Sequence, residues 1–477
     1  MKVRPSPKKF ALAFFTLCAL LTSTACNSVL QAVGLGTLAR RIVATPGAAY
    51  IEIPPTPVPA NLSTAALVKL RSTLRVGIRF DAPPLASVNK AGEIEGMDAD
   101  IAREFARRWL GSENNIEFVQ VTSASAPRRL ANRELDLALG GLSISRLAEK
   151  DVDFSLPYFM DGEALLIRTG SYADFASMVQ KDVLYIDGQS LPALSAGQIA
   201  SNITVTFRSE VSYPNAVQAL LDGKTEGVVG RWRRFVLLTQ RDPALSILSV
   251  LQSEPVAIML PQNDSQWASL VNLTLSTMIA DGFYAKAYQR WFATPPSAVS
   301  AIPKAAPPSL AQLMDERVVN NTLDRIKANN AVRVGYVPRA APNNVLVGLD
   351  ANAQPSGFEV ELVADVAQRL LAGTAVNYTP LADNQISQAL VNGSVDVVIG
   401  GLQQTSGNIV AFNFSNPTFD IASATNPSGT LALPLAAPIA FALPTNDSAF
   451  RDATNSALED MRTDGSLDAL KAKWFGK

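Results

Sequence analysis

The sequence predicts an α/β protein made of a two-lobed clamp followed by a second, single-lobed copy of part of that clamp. Three observations carry this. Short apolar runs suited to buried strands alternate with stretches of helical spacing. The segment "DLALGGLSISRLAEKDVDFS" (Asp136 to Ser155) returns as "DVVIGGLQQTSGNIVAFNFS" (Asp396 to Ser415). The two copies hold register on both flanks yet differ by one central block of about 77 residues.

At 477 residues, 48% of them hydrophobic and 17% charged, the chain has material for two or three folded cores. A net charge of -1 gives no electrostatic footprint for nucleic acid. Histidine is absent, which removes Ser-His and Cys-His nucleophile pairs and His-based metal sites. Lys2, Arg4, Lys8 and Lys9 precede the apolar run "FALAFFTLCALL", and small residues lead on to Cys26. This pattern predicts a signal peptide over residues 1–25. Cys26 is then either the lipidated first residue of a lipoprotein or an incidental residue of a secreted one. Cys18 and Cys26 are the two cysteines, so the exported chain has no pair for an internal disulfide. Residues 26–61 end in "PGAAYIEIPPTPVPAN" and read as a semi-rigid tether; "TPPSAVSAIPKAAPPS" (294–309) reads as a second one.

Between the tethers, over 62–293, the elements follow in order. "LRVGI" is a buried strand, and "DADIAREFARRWL" a helix with Asp98 as its candidate N-cap. "IEFVQV", "APRRLAN" and "LDLALGG" give strand, helix and strand. "VLYI", "ITVTF", "YPNAVQALL", "EGVVG" and "RWRRFVLL" repeat the alternation in a second lobe. The expected lobes are about 70–160 with 255–293, and about 165–250, so the chain crosses between them twice. Gly77, Gly140 and Gly141 fall at strand carboxyl ends, where ligands of such sheets sit and where a missing side chain opens the backbone. In residues 310–477, "VRVGY", "GFEVELVADVAQRLL" and "VDVVIGG" repeat the first lobe, with 65 residues from Gly335 to Gly400 against 63 from Gly77 to Gly140. "PVAIMLPQND" and "PIAFALPTND" each begin 36 residues before a Trp-Phe pair. The block missing from the second copy is the second lobe.

"VGIRFDAPPL", "GEIEGMDADIA", "LDLALGGLSI", "VDFSLPYF", "SYPNAVQALLDG" and "MIADGFYAKAYQRWF" resemble, in order and spacing, the type II extracellular solute-binding proteins of the polar amino acid family that feeds ABC importers. The resemblance covers residues 70 to 293, and 323 to 477 for the first lobe alone. It implies the periplasmic-binding-protein type II clamp, no cofactor, and a ligand carboxylate held by an Arg, a hydroxyl and double-glycine amides, with an Asp of the second lobe on the ammonium. The hydroxyl position falls on Ser143, the loop on Gly140 and Gly141, and a second-lobe turn on Gly188, Gln189 and Ser190. Ala148 stands at the Arg position and Arg231 at the Asp position. Arg146, Arg231 and Arg79 are the candidate replacements, since a guanidinium suits a carboxylate; for Arg146 and Arg231 the other reading is a solvated surface arginine. Phe80 either stacks on the ligand or belongs to the core, and Asp81 either accepts an ammonium or caps a turn. Trp291 and Trp474 read as core. In the second copy Gln403 and Asn408 stand at the hydroxyl and Arg positions, opposite no second lobe.

The implied function is an exported, lipid-anchored binding protein that hands a small amino acid or related carboxylate to an ABC permease, without catalysis, metal or nucleic acid. The alternative is a sensory or interaction module on a degenerate clamp. A dehydratase or transglycosylase-linked role, which this fold also hosts, lacks a convincing acid-base pair.

Overall fold

The computed structural model describes residues 61–178, 181–186, 206–210, 212–292, 307–340, 343–403, 408, 411–415, 418 and 439–476. The signal segment with Cys26, the tether through residue 60, the linker from 294 to 306 and the Gly188–Ser190 turn lie outside the described residues. Among the described residues no helix is long and apolar enough to cross a membrane.

The first lobe is a sheet in the order β5-β1-β6-β13-β7. It is formed by β1 (Leu74–Ile78), β5 (Ile116–Gln120), β6 (Leu137–Leu139), β7 (Asp153–Phe154) and β13 (Met259–Leu260). A small three-stranded sheet of β2 (Asp81–Ala82), β3 (Ala86–Val88) and β4 (Ile94–Glu95) precedes the helix Met97–Leu110. β1 lies parallel to β5 and β6, whereas β13 is antiparallel to β6 and β7. Strands buried on both faces suit apolar β-branched runs, and Leu74, Val76 and Ile78 are fully enclosed. In the helix Met97–Leu110, Ile101, Ala102, Phe105 and Ala106 recur at helical spacing and face the core. That core is centred on Trp267, with Trp109 wedged between Phe105 and Trp267 at ring separations of 4.5 and 5.1 Å.

The second lobe has the order β10-β9-β11-β8-β12. Its members are β8 (Phe159–Arg168), β9 (Asp182–Ile186), β10 (Thr206–Glu210), β11 (Gly227–Arg231) and β12 (Leu245–Val256). β8 and β12 are the two crossings. They pair antiparallel from Phe159–Val256 at the hinge to Arg168–Leu245 at the far end. Behind the hinge, Trp232 of the second lobe stacks on Phe292 of the first lobe's last helix, 6.1 Å between centroids, and Phe292 on Tyr288 at 4.6 Å.

The second copy has the order β17-β14-β18-β20-β19. It uses β14 (Ala331–Tyr336), β17 (Ala375–Pro380), β18 (Val397–Ile399), β19 (Asn413–Phe414) and β20 (Ala442–Leu443), with β15 (Gly348–Leu349) and β16 (Pro355–Ser356) as a hairpin. Strand for strand this is the first lobe's sheet, in the same parallel and antiparallel sense. Two expectations need correction. Leu310 and Leu313, assigned to the second copy, pack in the first domain's core. Ser63 donates its amide to the Asp315 carbonyl (2.7 Å), and Lys69 pairs with Asp315 (2.9 Å). By its contacts the strap 310–317 belongs to the clamp. Asp98 is not the N-cap either: the helix starts one residue earlier, behind Gly96, and Asp98 turns inward.

Candidate functional site

The loop after β6 brings Gly140, Gly141 and Ser143 to the hinge, where Ser143 bridges Val256. The two glycine amides are taken up within the protein. Both donate to Oδ2 of the buried Asp98, at 2.8 and 3.0 Å, which corrects their expected role as carboxylate donors. A carboxylate there satisfies two amides that would otherwise be buried without partners. Burial pushes the Asp98 carboxyl up to about 6 against the pull of the Tyr158 phenol, these amides and Arg233. The absent side chains have a packing cause. A Cβ on Gly140 would lie 2.7 Å from the Arg79 backbone nitrogen, at a φ of +114°, and one on Gly77 would meet Leu135 at 2.7 Å. Protein atoms fill the space beside Gly77 and Gly140.

Arg79 forms a two-pronged pair with Asp81, Nε to Oδ1 at 3.0 Å and Nη2 to Oδ2 at 3.1 Å, so each expected anchor holds the other. Phe80 packs on the Ile78, Ala86 and Ala99 cluster. Ala148, at the family's Arg position, packs against a second apolar cluster around Leu142 and Val152. Arg146 begins the short helix Arg146–Glu149, for which Ser145 is the N-cap.

Arg231 ends β11, and its Nη1 donates to Glu254 Oε2 at 2.6 Å. The Ser143 hydroxyl donates to the same oxygen at 2.9 Å. Arg231 is therefore paired within the protein and is not a solvated surface arginine. A hydroxyl from the first lobe and a guanidinium from the second converge on one carboxylate, carried by the crossing strand β12. Directly across from Arg231 on β8 stands Glu163, only 2% exposed, with Oε2 lacking a hydrogen-bond partner. Burial pushes its carboxyl up to about 7, Arg231 opposes this, and Glu254 and Asp161 add to it. Asp161 holds the buried Arg233, whose guanidinium lies against Gly141 of the other lobe. Arg234 reaches the Asp81 carbonyl at 2.8 Å and sits 4.5 Å over the Tyr213 ring, while the Tyr213 hydroxyl accepts from the Arg231 amide at 3.0 Å. Four arginines (79, 231, 233, 234) and five carboxylates (81, 98, 161, 163, 254) therefore gather where the two lobes meet.

Asp161, Glu163, Arg233 and Glu254 escape single-motif reading. A comparison of the two copies carries a signal for Glu254. Where the opposing lobe is missing, Arg79, Ser143 and Glu254 become Val337, Gln403 and Ala437. Asp98 becomes Glu359, which still binds the amides of Gly400 and Gly401 at 2.9 and 2.6 Å. Scaffold groups persist and cleft groups do not.

The model of the bacterial extracellular solute-binding proteins, family 3, matches residues 74–294 and again 332–477. A glutamine-binding protein of Geobacillus stearothermophilus is 30% identical over 202 residues, 42% of this chain and 76% of that one. An ABC transporter glutamine-binding protein of Bacillus subtilis (strain 168) is 26% identical over 238 residues, 49% of this chain and 86% of that one. A solved structure of an ancestral cationic amino acid solute binding protein is 26% identical, with a TM-score of 0.42, over 48% of this chain and all of that one. The family match on both halves, with the first lobe's sheet present twice, makes this chain a member of the bacterial extracellular solute-binding proteins, family 3, carrying a second, one-lobed copy of its own fold.

Proposed function

We propose that the chain is the lipid-anchored, extracellular substrate-binding component of an ABC importer, and that its ligand is a small zwitterionic amino acid. The convergence of Ser143 and Arg231 on one carboxylate oxygen carries this reading. A ligand carboxylate entering between the lobes takes the place of Glu254 on the same two donors. Glu254, released beside Glu163, then accepts the ammonium. The pairing of arginines with carboxylates where the lobes meet supports a solute bearing both charges. Hinge motion along β8 and β12 closes the lobes on it.

Calorimetry on the full chain with glutamine, glutamate, succinate and lysine tests this. We expect glutamine to bind tightest and Arg231→Ala to weaken it by about 1.5–3 kcal/mol, the range for a hydrogen bond to a charged group. Succinate binding above glutamine would overturn the ligand assignment. The self-pairing of Arg231 with Glu254 and the apolar packing of Ala148 favour a second reading, a sensory or interaction module that binds no solute. A chain that stays silent toward all twenty amino acids in a thermal-shift screen would establish that reading over the first. The anchor is tested separately. Cys26→Ser is expected to move the protein from the membrane to the soluble fraction, and unchanged fractionation would refute lipidation.

A further inference from the structure

The two copies meet through equivalent turns, "PQNDS" (261–265) and "PTNDS" (444–448), each opening a long helix. Asn263 and Asn446 both take the left-handed conformation, φ 57° and 53°. The Asn263 amide donates to Ser448 Oγ (2.9 Å) and the Asn446 amide to Ser265 Oγ (2.7 Å). The Ser448 amide donates to Asn263 Oδ1 (2.9 Å) and the Ser265 amide to Asn446 Oδ1 (2.8 Å). Each of these four bonds has its mirror, which is the signature of a two-fold, self-complementary contact. Each turn offers the same donors and acceptors, so a second clamp presents what the second copy presents.

One contact breaks the symmetry. Arg451 donates to Asp153 at 2.7 Å, and Ser448 Oγ to the other oxygen of Asp153 at 2.9 Å. The mirror positions hold Asn413 and Ala268. Asp153 is 3% exposed. In a pair of two clamps it would face Ala268 and lose its cation, a buried charge left without compensation. Arg451 also binds Asp452 on its own helix, so the asymmetry acts chiefly through Asp153.

We infer that the second copy is a built-in dimer partner: it occupies the self-complementary turn through which two clamps would pair, and the Asp153–Arg451 contact selects it over another clamp. The chain is thereby held as a monomer by a domain that has lost its own cleft groups.

Sedimentation and amide hydrogen exchange on the full chain test this. We expect a monomer in which the amides of Asn263, Ser265, Asn446 and Ser448 exchange at least about 100-fold more slowly than exposed amides. Asp153→Arg, which sets two cations together, should speed those four by at least 10-fold, leave Val76 and Val334 in the two sheets unchanged, and produce concentration-dependent dimers. The double exchange Asp153→Arg with Arg451→Asp should restore slow exchange and the monomer. Four fast amides in the unaltered chain would overturn the docked arrangement. Undocking by Asp153→Arg without dimers at any concentration would overturn the self-complementary face. If the single variant loses its sheet protection as well, the double exchange alone decides, and its failure to restore the monomer counts against the proposal.

Discussion

At the scale of single residues, Glu163 is the least satisfied group at the hinge. Its carboxyl is raised from 4.5 to about 7 chiefly by burial, so the folded chain binds that proton more tightly than the unfolded one. The stability this proton contributes is complete below about pH 4.5 and is lost as pH rises through 7. Glu163→Gln keeps the shape and removes the titration. We expect the variant and the parent to unfold alike in urea near pH 4.5. At pH 8 the variant should be more stable by about 1–3 kcal/mol, given 1.36 kcal/mol per pKa unit and partial relief by Arg231. A parent that matches the variant at both pH values would show that Glu163 is solvated in solution. Arg79 and Asp81 illustrate the opposite case. Each was legible as a charged residue of the first-strand loop, yet the partner each chose is the other, and residue type alone does not rank partners.

At the scale of elements, local pattern was a good guide wherever the signal was local. "APRRLAN" is a helix over Ala126–Ala131, and "YPNAVQALL" one over Tyr213–Leu221, with Pro in the first turn where its missing N–H does no harm. Of "ITVTF" (203–207), the last two residues open the strand Thr206–Glu210, and 203–205 lie outside the described residues. Asp98 was read as a cap because acidic residues favour helix starts; Gly96 precedes the helix and Asp98 serves the glycine loop 42 residues away instead. Asp264 and Asp447 do the double service expected of a cap. Each accepts from its own helix and from the helix before the first strand, Thr64 N at 2.6 Å and Thr322 N at 2.9 Å. Nothing in the spacing of "NDS" announces the second bond, because it depends on a helix more than a hundred residues earlier.

At the scale of the whole molecule, the clamp ends later than the proline-rich linker suggests. Leu310 and Leu313 lie in its core, and Arg317 donates to the carbonyls of Gln262 and Asn263 at 2.6 and 3.1 Å. Burying a leucine contributes roughly 1.5–3 kcal/mol, less the entropy of ordering the strap. A chain ending at Arg317 should therefore melt about 2–4 °C above one ending at Pro296, by differential scanning calorimetry. Equal melting points would mean that the strap is held by the second copy. Both should keep the ligand affinity of the full chain, since Asn446, Ser448 and Arg451 touch Asp153 and the Asn263 turn, not the Arg231–Glu254–Ser143 network.

The sequence by itself determined the duplication, the register kept on both flanks of the two copies and the block of about 77 residues that the second copy lacks. These are written in apolar periodicity and in the register of repeated segments, which survive without knowledge of any partner. Only the tertiary structure decided what the polar residues do. Ser143 meets Glu254 across 111 residues, and Ser448 meets Asp153 across 295. A buried charge is settled by whichever counter-charge folding brings within about 3 Å, and that distance is not a property of either residue's neighbourhood in the chain.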